Sequence, residues 1–123
     1  MVSEEELLAA FIEEYEGAAE QSSKARYTNA TVLYSKALFA LCDIIIITKF
    51  RRVPKNHTER FKILREYLPE VYAIADDIWS RHIDAYSRPS SQEAAIALHD
   101  AIIKIKDSAG LPESVEASLK NIQ

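Results

Sequence analysis

Basic residues crowd into one short segment of the chain, where their chemistry suits the binding of anions. Seven of the fifteen lysines and arginines fall within seventeen positions, opposed only by Glu59: Lys49, Arg51, Arg52, Lys55, Arg60, Lys62 and Arg65. The whole chain carries a formal net charge of -4, so this positive charge is local. Such a cluster suits the phosphates of a nucleotide or RNA, or the acidic face of a protein partner. An ordinary solvated surface is the alternative.

Five residues of the stretch RRVPKNHTER form the predicted anion-binding site. Pro54 restricts the backbone of this short stretch, so its cations stay near one another. Arg60 is expected in the first turn of the following helix, where unpaired backbone amides favour an anion. The predicted site consists of Arg51, Arg52, Lys55, His57 and Arg60.

The histidines do not follow the spacing of a metal site. His82 with Asp84, and His99 with Asp100, are one or two positions apart, and such residues point in different directions on a helix. Ligands that face one metal ion from a helix need three- or four-residue steps. The two glycines are isolated, which excludes a glycine-rich phosphate loop. We therefore predict neither a metal site nor a cofactor.

One acidic residue stands inside the most apolar stretch of the chain. Asp43 lies between Cys42 and four consecutive isoleucines, and no basic residue stands four positions away from it. A buried carboxylate without a counter-charge is very costly. If Asp43 is buried, we expect it to have a partner on another helix or on a second subunit.

Cysteine usage and charge predict a cytoplasmic protein. The single cysteine, Cys42, lies in the apolar run and is interpreted as a small buried hydrophobe, which fits a reducing compartment. The amino terminus is acidic, whereas a signal peptide would carry positive charge there. Ser35, Lys36 and Asp43 interrupt the longest apolar run, so we predict no membrane span.

Apolar residues recur at the three- and four-residue steps of helices along the chain, and no pair of strands is evident. The 123 residues therefore predict a single all-α domain, residues 1–123. The predicted helices run from Ser3 to about Gln21, from about Thr28 to Phe50, from about Glu59 to Tyr67, from Pro69 to about Ser87, and from beyond Ser90 to Gly110, with a short terminal helix after Pro112.

Polar residues that can cap helices support these boundaries. The candidate caps are Ser3 with Glu6, Asn56 or Thr58, and Ser90 with Glu93. Tyr72, Trp79 and Tyr86 keep helical spacing, which favours core or interface positions over a platform for stacking bases.

The second predicted helix is apolar on nearly all sides. Ala30, Tyr34 and Leu41 belong to one stripe, whereas Val32, Phe39 and other apolar residues occupy the rest of the circumference. Such a helix must be covered on more than one side. Neighbouring helices or a second subunit can cover it, and we predict a homodimer.

The run YSKALFAL from Tyr34, continued by an apolar helix to Pro54-x-x-His57, resembles the HEPN family of small helical proteins, above all its stand-alone archaeal members. The resemblance covers residues 30 to 66, and from there to Lys106 it rests on helix lengths. It implies an up-and-down bundle of four or five helices, often paired as a homodimer. It also implies a protein that acts alone or beside a small nucleotidyltransferase in modules of the toxin and antitoxin type.

Some HEPN proteins are metal-independent ribonucleases, with an Arg and a His four to six residues apart on a helix of the carboxy-terminal half. Arg52 and His57 have four residues between them. A ribonuclease that used this pair would need His57 as general base on a ribose hydroxyl and Arg52 as stabiliser of the phosphorane charge. However, both follow the second helix, and in the later helices Arg81 and His82 are adjacent, so no position matches the family's motif.

The sequence as a whole predicts a HEPN-like binding module without catalytic activity. We expect it to act with a nucleotidyltransferase-type partner, or to bind the phosphate of a nucleotide or RNA through its basic segment. The first alternative is a ribonuclease toxin that uses Arg52 and His57, and the second is a purely structural or interaction protein.

Overall fold

The computed structural model describes residues 2–82, 89–120 and 122. These residues form helices and contain no strand, so the prediction of an all-α bundle is confirmed. In chain order the helices are α1 (Glu4–Ser23), α2 (Tyr27–Phe50), α3 (His57–Tyr67), α4 (Pro69–His82), α5 (Gln92–Ser108) and α6 (Glu113–Leu119). The predicted end of the fourth helix near Ser87, and Tyr86, lie outside the described residues.

Side-chain caps fix the start of three helices. Ser3 Oγ accepts from the backbone N–H of Glu6 at 3.1 Å, and the Ser3 N–H donates to Glu6 Oε1 at 3.2 Å, so the predicted capping box of α1 is confirmed. At α3 the cap is Asn56, whose Oδ1 accepts from the Glu59 N–H at 2.9 Å. Both caps satisfy amide groups that have no partner inside the helix.

The predicted cap of α5 is wrong by one residue. Ser91, rather than Ser90, precedes the helix, and its Oγ accepts from the Ala94 N–H at 3.2 Å. Ser90 has a different role, since its backbone N–H donates to Thr28 Oγ1 at 3.0 Å. This bond ties the chain before α5 to the first turn of α2.

Helix α2 is the centre of the bundle. It packs against α1 on one side and α5 on another, while α3 contacts it and α4 lies between α3 and α5. The isoleucine run stays helical, and Ile44, Ile45 and Ile46 are completely buried. Tertiary packing here outweighs the preference of β-branched residues for strands.

The chain itself encloses α2 more fully than its sequence suggests. The apolar residues outside the core stripe, such as Val32, Phe39 and Ile47, are half-buried, and only Phe50 at the helix end is exposed. By length and composition α2 could cross a membrane, but 72% of its most apolar window is buried inside the protein, as in a core helix. An uncovered side of α2 therefore gives no argument for the homodimer, which stays a prediction from the family resemblance.

Candidate anion-binding site

A short, well-anchored segment joins α2 to α3; we call residues 51–56 the connector. It begins at Arg51, whose left-handed backbone (φ 60°) ends α2 and whose N–H donates to the Ile47 carbonyl at 3.0 Å. Pro54 is buried in the middle, and Asn56 caps α3 at the far end. The Lys55 N–H also lies 3.4 Å from Glu59 Oε1. These anchors hold the backbone of the connector in place.

Three predicted site residues extend from the connector into solvent. Arg51, Arg52 and Lys55 are all exposed. Arg52 Nη1 lies 3.7 Å from Glu59 Oε1, a loose contact at an arginine side chain that is 56% exposed. Within the described part of the chain, the Arg51 and Lys55 side chains have no hydrogen-bond or ion-pair partner. These cations are therefore available to an external anion.

Arg60, in contrast, is bound inside the protein. Its Nε donates to Asp43 Oδ1 at 2.7 Å and its Nη2 donates to Asp43 Oδ2 at 3.0 Å. The two side chains are only 15% and 10% exposed, and the guanidinium carbon also lies 5.3 Å from the centre of the Phe39 ring. Asp43 is buried, so the expectation that it finds a partner on another helix is confirmed. The bidentate ion pair joins the first turn of α3 to the middle of α2.

His57, the first residue of α3, completes this network. Arg60 Nη1 lies 2.9 Å from His57 Nδ1, and because a guanidinium only donates, Nδ1 accepts and the ring proton lies on Nε2. Nε2 is covered and has no hydrogen-bond partner among the described residues. The rings of Phe39, Phe61 and Trp79 surround the imidazole, with centroids 4.6, 4.7 and 4.5 Å away.

Burial lowers the pKa of His57, and the positive charge of Arg60 lowers it further, against the smaller opposing effect of Asp43. The imidazole is therefore neutral at pH 7. A general base needs a lone pair within reach of the substrate proton. Here the lone pair of Nδ1 is bonded to Arg60 and Nε2 holds the proton. The structure brings His57 together with Arg60, while Arg52 approaches Glu59.

The outer sides of α3 and α4 border a second feature, an open cavity that we call the α3–α4 cavity. Its volume is about 390 Å³, and it lies beside His57 and Thr58. Aromatic rings and charged side chains from both helices line it: Phe61, Lys62, Arg65, Tyr72, Asp76 and Trp79. Tyr72 and Trp79, interpreted from spacing as core or interface aromatics, are half-buried at this cavity. Sequence spacing within α4 gives no signal of it, because the cavity needs both helices.

Cys42 and His99 are two further residues with reactive side chains in the described part of the chain. Cys42 is completely buried, and burial, with the nearby charge of Asp43, raises the pKa of its thiol to about 12. His99 Nδ1 lies 3.0 Å from Asp100 Oδ1, and its ring contacts those of Tyr15 and Tyr34. Among the described residues, no three His, Cys, Asp or Glu side chains come close enough to hold a metal ion.

Comparison with known proteins adds no relative. Neither the protein-family models nor the curated proteins nor the solved structures contain a significant match to this chain.

Proposed function

We propose that this chain is a HEPN-like binding module that holds a phosphate-bearing ligand, a nucleotide or an RNA, on the connector. One observation carries the proposal: Arg51, Arg52 and Lys55 extend into solvent from one anchored segment of a protein whose formal net charge is -4. A local cluster of positive charge on a protein with a negative net charge attracts anions to that part of its surface.

The anchoring of the connector favours binding because it limits the ordering that a ligand must impose. Arg51 ends α2, Pro54 is buried and Asn56 caps α3, so the backbone that carries the cations is fixed before a ligand arrives. Only the side chains lose freedom on binding, at about 0.5 to 1.5 kcal/mol each. The amino-terminal end of α3 adds a partial positive charge beside the connector.

The five residues of the predicted site then divide into two roles. Arg51, Arg52 and Lys55 contact the phosphate. Arg60 and His57 position them, because their hydrogen bond and the Arg60 ion pair with Asp43 hold α3 against α2. An Arg60 released to contact a ligand would leave Asp43 buried without a counter-charge, which is strongly unfavourable.

The ribonuclease alternative has little support from this geometry. His57 offers no accessible lone pair, because Arg60 donates to Nδ1 and Nε2 is covered. The partner that Arg52 approaches is Glu59, whereas the guanidinium bonded to the imidazole is that of Arg60. Binding without cleavage is therefore the function we propose, with the nucleotidyltransferase-type partner and the homodimer as expectations from the HEPN resemblance.

Titration of the purified protein tests the proposal. Adenosine monophosphate and a short fluorescent single-stranded RNA serve as ligands for an Arg51→Ala, Arg52→Ala, Lys55→Ala triple variant. The matched control is a Lys36→Ala, Lys104→Ala, Lys120→Ala variant, which removes three exposed cations outside the connector. Its net charge equals that of the first triple, so the two differ only in where charge is lost.

We expect the connector variant to bind at least about tenfold more weakly than wild type, since three lost charge contacts at about 0.5 kcal/mol each give that ratio. The control should lose much less. If the protein binds RNA far more tightly than the mononucleotide, RNA is the source of the phosphate. If it binds the mononucleotide more tightly, the nucleotide is the source. Equal binding by both triple variants would refute the connector as the site.

A further inference from the structure

The α3–α4 cavity has the dimensions of a small-molecule site and is separate from the connector cations. Its volume of about 390 Å³ falls within the roughly 300 to 1,000 Å³ that ligand pockets occupy. Such pockets combine apolar and aromatic walls with a few polar groups that orient the ligand. The walls here follow that composition, with Phe61, Tyr72 and Trp79 as the aromatic part.

The aromatic walls are braced by contacts among the rings. Phe61 and Tyr72 meet edge to face, with centroids 6.1 Å apart and an interplanar angle of 83°. On the other side, the imidazole of His57 contacts both Phe61 and Trp79. Arg60 holds the ring of His57 by a hydrogen bond, and His57 in turn supports Phe61 and Trp79. Preformed aromatic walls of this kind suit a flat ring, packed by stacking or edge-to-face contact.

Opposite charges line the cavity from its two helices. Lys62 and Arg65 belong to α3, and Asp76 belongs to α4. None of the three forms a hydrogen bond or an ion pair within the described residues. The neutral imidazole of His57 adds no charge, so the cavity presents two cations and one carboxylate around aromatic walls, and no side chain among the described residues pairs with any of the three.

We propose that the α3–α4 cavity binds a zwitterionic aromatic amino acid. The carboxylate of the ligand pairs with Lys62 and Arg65, its ammonium group pairs with Asp76, and its ring packs on Tyr72 and Trp79. Other ligand classes fit less well. A mononucleotide brings negative charge towards Asp76 and no cation for it, whereas an aromatic amine meets two cations. The zwitterion alone gives each of the three charged side chains a partner.

The emission of Trp79 reports binding directly, because it is the one tryptophan of the chain and lies at the cavity. Phenylalanine is the probe, with excitation at a wavelength that it does not absorb. We expect a saturable change with a dissociation constant on the order of 0.1 to 1 mM, typical of a small ligand in an open cavity. Absence of a saturable change would overturn the proposal.

Two truncated ligands separate the charges. Phenylpropionate lacks the ammonium group and phenethylamine lacks the carboxylate. In the wild type we expect phenylalanine to bind about two- to fivefold more tightly than phenylpropionate, the range for a partly exposed ion pair. Asp76→Asn should remove that difference without weakening phenylpropionate, because an anionic ligand loses only a like charge from the cavity. A preference for phenylalanine that survives in Asp76→Asn would refute the ammonium contact.

Variants of the cationic side complete the test. Lys62→Met with Arg65→Met should abolish the advantage of phenylalanine over phenethylamine, whereas Lys104→Met, an exposed lysine on α5, should change neither affinity. All the substituted side chains are exposed or half-buried, so the fold should persist, and far-ultraviolet circular dichroism verifies this. If Trp79 fluorescence shows tighter binding of adenosine monophosphate than of phenylalanine, the cavity is a site for phosphate ligands and the proposal is contradicted.

Discussion

Replacing Arg60 by methionine should destabilise the protein strongly, because it leaves Asp43 buried on the central helix without a counter-charge. The aspartate is short and lies in the middle of α2, so it cannot reach water as a lysine or arginine could. Removing one partner of a buried ion pair costs about 3 to 5 kcal/mol. The two side chains keep 15% and 10% exposure, so we take the lower value, about 3 kcal/mol.

That free energy translates into a measurable change of the melting temperature. An unfolding entropy of about 2.1 cal/mol/K per residue, over 123 residues, gives about 0.26 kcal/mol/K for the chain. A loss of about 3 kcal/mol therefore lowers the midpoint by about 12 °C. Urea titration followed by circular dichroism and by Trp79 fluorescence gives the free energy of unfolding directly.

A double-mutant cycle separates the ion pair from simple loss of packing. Asp43→Leu with Arg60→Met should be more stable than Arg60→Met alone, because the double variant leaves no buried charge, and we expect a coupling energy of about 2 kcal/mol. Arg65→Met on the same helix is the control, and as an exposed side chain it should change stability by less than about 0.5 kcal/mol. A coupling energy near zero would refute the reasoning.

Two further predictions concern His57 and the start of α5. The pKa of His57 is lowered in the folded protein, so the unfolded chain binds the proton more readily, and stability should fall as pH decreases below the ordinary value of 6.5. His57→Gln should flatten that part of the curve of unfolding free energy against pH, and an unchanged slope would contradict the neutral, buried imidazole. Ser91→Ala should lower the free energy of unfolding, measured by urea denaturation, by about 1 kcal/mol because the cap is lost. Ser90→Ala keeps its backbone bond to Thr28 and should be much closer to wild type in stability. A Ser90→Ala variant less stable than Ser91→Ala would contradict the cap assignment.

Helical periodicity was sufficient to predict the all-α bundle, since every helix buries an apolar stripe that the sequence spaces at three and four residues. Local polar signals were sufficient for the cap at Ser3, and at α3 they left Asn56 and Thr58 as candidates, of which Asn56 is the cap. At α5, the capping-box pattern of Ser90 with Glu93 predicted the wrong serine, because the cap is its neighbour Ser91. The backbone N–H of Ser90, which a capping box would direct to Glu93, instead donates to Thr28, 62 residues away, and no local pattern contains that bond.

The candidate site could be predicted only in part. The sequence identified the basic segment and the need of Asp43 for a counter-charge. It did not show that Arg60, a member of the basic segment, is that counter-charge. The link joins positions 17 residues apart across two helices, so it depends on how α3 crosses α2. The α3–α4 cavity was missed for the same reason, because Tyr72 and Trp79 look like core residues until the opposite wall, from α3, is in place.

The salt dependence of RNA binding tests the central claim that the connector holds phosphates. The logarithm of the association constant, plotted against the logarithm of salt concentration, falls by about 0.7 per phosphate contact for single strands. Contacts from Arg51, Arg52 and Lys55 therefore predict a wild-type slope steeper by about 2 than that of the connector triple variant. Equal slopes for the two proteins, or binding by wild type that does not change with salt, would contradict the proposed function.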